Sequence, residues 1–115
     1  AELEAVTKAG YTAILSSCWY LDSLTRTPDW INYYNCDPHN FDGTAEMKSR
    51  VLGGEACAWG EYMDATNSIS RVWPRALGSA ERLWSINNTM STNYAVVYVR
   101  LHPNRCRLLA RGIDA

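Results

Sequence analysis

A chain of 115 residues, 47% hydrophobic and with a net charge of −1, is long enough to bury a core and short enough to be one domain. No run of basic residues exceeds two, so nucleic acid has no electrostatic footprint here, and no apolar run approaches the roughly 20 residues of a membrane span. Five tryptophans and seven tyrosines against one phenylalanine form an unusual set of amphipathic aromatics, suited to a polar-ring ligand as well as to a large buried core.

The opening "AELEAVTKAG" reads as a helix with Leu3 and Val6 on one face and Gly10 as its stop. It carries no methionine, signal peptide or capping residue, and the chain is read as an internal fragment of a longer protein. Tyr11 to Ser17 is an apolar run of strand length that leads into Cys18-Trp19-Tyr20-Leu21-Asp22. From Ser23 to Thr44 no period is sustained, which predicts a long loop with one helical turn near Pro28 to Tyr34. Thr44 is placed to cap a short helix to Arg50, and Val51 to Gly60 is the next strand.

In "RVWPRALGSAERLWS", Pro74 suits a first helical position, and Trp73, Leu77, Ala80 and Trp84 recur at helical spacing. The last helical region is expected to begin at a Thr92 cap and stop at Gly112, with a kink or two segments at Pro103. Helix, strand, loop, helix, strand and helix, with Gly-rich strand ends, is the order of βα units on a parallel sheet. Two strands do not complete such a sheet, so the rest must come from sequence elsewhere or from a partner.

Side chains alternate along a strand. In Val51 to Glu61 one set is Leu52, Gly54, Ala56, Ala58 and Gly60, suited to packing under helices. The other is Val51, Gly53, Glu55, Cys57, Trp59 and Glu61, whose acids fit the polar interior of a (β/α)8 barrel, with Glu55 deep and Trp59 and Glu61 at the mouth. On the earlier strand Ile14, Ser16, Cys18, Tyr20 and Asp22 share a parity, so Tyr20 and Asp22 fall just past its end. An aromatic face with several hydrogen-bonding groups suits a pyranose ring. A structural tryptophan beside a loop acid explains the second strand equally well by pattern alone.

"SSCWYLD", "GGEACAWGEYMDATN" and "RVWPRALGSAERLW", in this order, closely resemble the C-terminal part of the β-N-acetylhexosaminidases of glycoside hydrolase family 20. The resemblance runs from "ELEAVTKAGY" to "RCRLLARGI", essentially the whole chain. It implies an α/β fold, the C-terminal portion of a (β/α)8 TIM barrel, with residues 1–115 holding about its last two βα units. It also implies removal of terminal β-linked N-acetylglucosamine or N-acetylgalactosamine with retention. The nucleophile in that scheme is the substrate's own acetamido oxygen. By resemblance, Tyr20 donates to that oxygen and orients the acetamido group, Asp22 contacts hydroxyls of the terminal sugar, Trp59 stacks beneath the ring and Glu61 binds its outer hydroxyls. Trp19 is read as packing.

The family's Asp-Glu pair, which orients the acetamido group and protonates the leaving oxygen, has no counterpart here, because no Asp-Glu dipeptide occurs in the sequence. The isolated 115-residue chain is therefore expected to be inactive, and no cofactor is implied. In the enzymes that the chain resembles, a basic residue at the position after Asp22 favours sulfated sugars, and Ser23 there predicts a preference for neutral ones. Homo- or heterodimerisation and a lysosomal or secreted destination also follow from the resemblance. A sugar-binding homologue that has lost the acid, and a purely structural βα fragment, remain the alternatives. Upstream sequence discriminates them.

Cysteines 18, 36, 57 and 106 lack C-x-x-C spacing and His39 and His102 stand alone, which argues against a metal site. Cys18 and Cys36 flank the long loop and are either bridged, worth about 3 kcal/mol on the chain-entropy model, or two free thiols. Cys57 reads as a small buried thiol. Cys106 matches a family cysteine whose partner lies beyond residue 115. Asn87-Asn88-Thr89 is an N-glycosylation sequon. Asp64 is expected to bind loop amides, and Arg75, Glu81 and Arg82 to form helix-surface or inter-helix ion pairs.

Overall fold

The structure is a computed structural model that describes residues 2–23, 25, 28–85 and 89–115. In chain order its elements are α1 (Glu2–Lys8), β1 (Ala13–Leu15), α2 (Trp30–Asn35), α3 (Ala45–Ser49), β2 (Val51–Gly54), α4 (Ser68–Val72), α5 (Ala76–Trp84) and α6 (Tyr94–Ala110). Glu2 and Glu4 in the first turn of α1 and Lys8 in its last complement the helix dipole. Gly10, at φ +93°, ends that helix in the left-handed conformation that glycine adopts without strain. Thr44 caps α3 as its position predicts, its side chain accepting from the Met47 amide at 3.2 Å.

β1 and β2 pair in parallel, and the chain between them carries α2 and α3. The register runs Ala13 with Val51, Ile14 with Gly53 and Leu15 with Gly54, so β2 holds one extra residue, Leu52. That irregularity corrects the simple two-face division of Val51 to Glu61. Val51, assigned to the polar face, is buried, whereas Leu52, assigned to the packing face, is 67% exposed. A bulge breaks the alternation on which the division rested, and Gly53 sits at it with φ +147°. The strand is also shorter than expected, ending at Gly54, with a single isolated bridge between Tyr20 and Cys57 beyond it.

Trp19 forms the centre of one core cluster. It is fully buried beside Leu21, Tyr33 and Ala76, and its indole Nε1 donates to the Tyr33 carbonyl at 2.9 Å. The ring lies against Gly54, where any Cβ would overlap it. The Cys18–Cys36 disulfide, with 6.2 Å between Cα atoms, ties the end of β1 to the end of α2 and resolves the alternative left open by the sequence. A second cluster joins Tyr34 of α2 to Val97 and Leu101 of α6, with Trp30, Leu77 and Met90 packed against it. α5 crosses α2 at Gly78, where an added Cβ would strike the Trp30 carbonyl.

Three expectations about the C-terminal half need correction. The Trp73–Pro74 bond is cis, and Pro74 lies in the break between α4 and α5 rather than at a first helical position. Trp84, on the predicted apolar stripe, is 90% exposed, because α5 turns its small residues Ala76, Gly78 and Ser79 inward. α6 is capped by Asn93, whose side chain accepts from the Ala95 amide, and it continues through Pro103 as one helix. Pro103 removes the donor to the Val99 carbonyl, but both residues lie on the exposed side, where water is the alternative partner. The Asn104 side chain donates to the Arg100 carbonyl at 3.2 Å.

The contact between Trp19 and Gly54 generates a stability prediction. Gly54→Ala in the full-length protein is expected to lower stability by about 1–3 kcal/mol through overpacking. Thermal unfolding measures this, and an unchanged Tm would show that the indole has room to move.

Candidate functional site

The chain beyond β1 and the chain beyond β2 stay side by side after the regular ladder ends. Cys57 N donates to the Trp19 carbonyl at 2.9 Å and Leu21 N to the Cys57 carbonyl at 2.7 Å, bracketing the Tyr20–Cys57 bridge. Tyr20 and Asp22 therefore emerge at the same end of the strand pair as Trp59 and Glu61. Tyr20 is 40% exposed, Trp59 56% exposed, and Glu61 is on the surface. Tyr20 also lines an open groove of about 680 Å³ that runs along α1, β1 and the disulfide. Asp22 is half-buried, and its Oδ1 is enclosed without a hydrogen-bond partner among the described residues. A buried carboxylate oxygen left unpaired is costly.

The backbone of this segment is held by side chains from three elements. The Tyr33 hydroxyl donates toward the Tyr20 carbonyl at 3.3 Å and the Asp29 Oδ2 at 3.2 Å. Arg75, just ahead of α5, donates to the Leu21 carbonyl, to the Ser23 carbonyl at 3.4 Å, to the Arg71 carbonyl at 2.7 Å, and to the Asp29 carboxylate. Burial and the neighbouring Asp29 carboxylate push the Tyr33 hydroxyl up to about 12, so it remains a donor throughout the physiological range. Arg75, expected to sit in a helix-surface or inter-helix ion pair, does link two helices, pairing the start of α5 with Asp29 at the start of α2, a carboxylate only 6% exposed.

Of the other two, Glu81 does pair between helices, with Arg100 of α6 at 2.7 Å, while Arg82 donates to the Tyr34 carbonyl and lies over the Tyr34 ring. Asp29 and Tyr33 are absent from the sequence reading. The only signal was the Asp29-x-x-x-Tyr33 spacing across one helical turn.

Asp64 does bind its own loop, accepting from the Thr66 amide at 2.8 Å and the Thr66 hydroxyl at 2.6 Å. Glu55 is exposed, its amide donating to the Leu15 carbonyl. Cys57 is a half-buried free thiol and Cys106 an exposed one. The sequon at Asn87 lies outside the described residues. Among the described residues no group of three or more His, Cys, Asp or Glu side chains is placed to hold a metal ion, and no helix is long and apolar enough to cross a membrane.

Residues 1–87 match the family model for the catalytic domain of glycosyl hydrolase family 20, and the chain belongs to that family. Over 114 residues it is 53% identical to the β-hexosaminidase subunit beta of Rattus norvegicus and 51% identical to the subunit alpha of the same organism, matches that cover 99% of this chain. The subunit beta of Homo sapiens is 48% identical over the same length. The chain spans about a fifth of each relative, 21% of both rat subunits and 20% of the human one. The family's catalytic domain is a TIM barrel, and the described residues of this chain form a mixed helix and strand arrangement around one parallel strand pair.

The Asp64 loop carries a pH prediction. Hydrogen bonds from Thr66 lead in holding this carboxyl below its ordinary value of 3.8, so the folded group has the lower pKa. Its stabilising contribution is thus present above the ordinary value and is lost as pH falls through the lowered one. Hydrogen exchange of the segment around Thr66, corrected for intrinsic rates, should show constant protection down to about pH 4 and a decline below it. Asp64→Asn should abolish that dependence. Identical pH profiles for the two proteins would contradict the assignment.

Proposed function

We propose that the full-length protein is a β-N-acetylhexosaminidase that hydrolyses terminal, non-reducing β-linked N-acetylglucosamine or N-acetylgalactosamine. These 115 residues supply about the last two βα units of its catalytic barrel. The observation that carries the reading is the strand end itself. Asp22, whose enclosed Oδ1 has no hydrogen-bond partner among the described residues, stands beside Tyr20 and across the strand pair from Trp59 and Glu61, in a chain half identical to hexosaminidase subunits.

In this reading Trp59 offers its exposed indole face to the apolar C–H face of the sugar. Asp22 and Glu61 accept hydrogen bonds from ring hydroxyls. Binding energy gathered at these non-reacting groups holds the ring in a distorted, attack-ready shape. The acetamido oxygen attacks the anomeric carbon as the glycosidic bond breaks, and the Tyr20 hydroxyl donates to that group while charge develops on it. The proton for the leaving oxygen comes from an acid outside these residues, since they contain no Asp-Glu pair. Water then opens the oxazolinium intermediate with net retention of configuration.

The names of the relatives, subunits alpha and beta, support assembly with a second hexosaminidase chain, alike or different. The sequon at Asn87 supports a lysosomal or secreted destination. Neutral sugars are the preferred substrates. Asp22 places a carboxylate beside the ring, Ser23 adds no positive charge, and the nearby Arg75 guanidinium is committed to Asp29.

Two measurements on the full-length protein test this. Trp59→Ala should lower kcat/KM on an aryl β-N-acetylglucosaminide by roughly 30- to 150-fold, corresponding to about 2–3 kcal/mol of lost ring contact. A variant with unaltered kinetics would remove Trp59 from the site. An unsulfated chromogenic substrate should turn over faster than its 6-sulfated analogue, and equal rates would sink the neutral-sugar preference.

A further inference from the structure

The segment Tyr20–Ser23 carries two of the four proposed sugar-binding side chains, yet it lies outside the regular ladder of β1. The buried Leu21 side chain anchors the segment in the Trp19 cluster, and the orientation of its backbone depends on what binds its carbonyls and amides. Here three consecutive carbonyls, and a fourth two residues further on, each have an assigned donor. Trp19 O accepts from Cys57 N, Tyr20 O from the Tyr33 hydroxyl, Leu21 O from Arg75 and Ser23 O from Arg75. The two Arg75 bonds go to the carbonyls on either side of Asp22. Asp29, 4% exposed, accepts from both Tyr33 and Arg75 and so links the two donors to each other.

We infer that Arg75, Tyr33 and Asp29 form a positioning clamp that sets the sugar-facing orientation of Tyr20 and Asp22 in hexosaminide hydrolysis. None of the three touches the substrate. They act through the backbone of the segment that does, and the inference rests on the assignment of Tyr20 and Asp22 to the sugar site. The planar guanidinium is what the geometry requires, because one group must reach two carbonyls and a carboxylate with separate N–H bonds. A lysine ammonium preserves the charge opposite Asp29 without that fork. Tyr33 contributes one hydrogen to two acceptors, so Tyr33→Phe removes the clamp at Tyr20 while leaving the ring packed in the Trp19 cluster.

The test is a pair of double-mutant cycles in the full-length protein, assayed on an aryl β-N-acetylglucosaminide. The first combines Arg75→Lys with Asp22→Asn, and the second combines Tyr33→Phe with Tyr20→Phe. Each clamp variant alone should lower kcat/KM by roughly 10- to 100-fold, as expected for a slightly misplaced binding group. In the double variants the clamp substitution should cost much less, because the group it positions is already gone. Thermal unfolding of Tyr33→Phe should stay close to that of the parent, which separates positioning from loss of fold. Full activity in both clamp variants, or losses that multiply in both double variants, would overturn the clamp. Asp22→Asn and Tyr20→Phe without effect would instead overturn the sugar-site assignment, a result distinct from failure of the clamp alone.

Discussion

The indole of Trp19 is the contact on which the packing of this chain turns. It follows directly on the disulfide-bonded Cys18, lies against Gly54, the last residue of β2, and donates its only hydrogen to the carbonyl of Tyr33. Strand, loop and α2 are therefore fixed to one another at a single buried side chain, and truncation of such a tryptophan typically costs about 3–5 kcal/mol. Because Trp19 and Tyr20 are neighbours, the residue that anchors the core and the residue proposed to face the sugar share one peptide. Core packing and site geometry are not separable here.

The buried ion pair beside it follows a different logic. Removing two charges from water is expensive, and a pair such as Arg75–Asp29 repays that cost only when every remaining donor is also used. The Arg75 guanidinium goes most of the way to this, four of its five N–H bonds donating to the Arg71, Leu21 and Ser23 carbonyls and to the carboxylate. The pair thus brings a loop residue, the start of α5 and the strand end to one point, which an apolar contact of similar size would fix with less directional precision. The cis Trp73–Pro74 bond lies immediately before Arg75, in the break that separates α4 from α5.

The sequence made the alternation of helices and strands, the Thr44 cap, the packing role of Trp19 and the strand-end placement of Tyr20 legible, because each depends on local propensity or on residues close in the chain. The bulge at Leu52 was hidden, since an extra residue in one strand is defined only by its partner's register. Pro74 misled because the signal for a first helical position is local, and here the helix begins two residues later, at Ala76. Trp84 misled because periodicity identifies a face without saying which face the protein covers. Asp29 and Tyr33 escaped notice because their roles depend on Arg75, 46 residues from Asp29. Nothing near Asp29 announces that partner.

Tyr33 and Tyr34 are adjacent in a six-residue helix, yet they enter different clusters, one around Trp19 and the other around Val97 and Leu101. The Tyr34 hydroxyl is also joined to Ser91, accepting from its amide and donating to its carbonyl. α2 consequently behaves as a short lever with a fixed arm in each cluster. It cannot roll about its axis to relieve a misfit on the α6 side without swinging Tyr33, and with it the carbonyl of Tyr20. The inner face of α6 and the carbonyl of Tyr20 thus lie at opposite arms of one short helix.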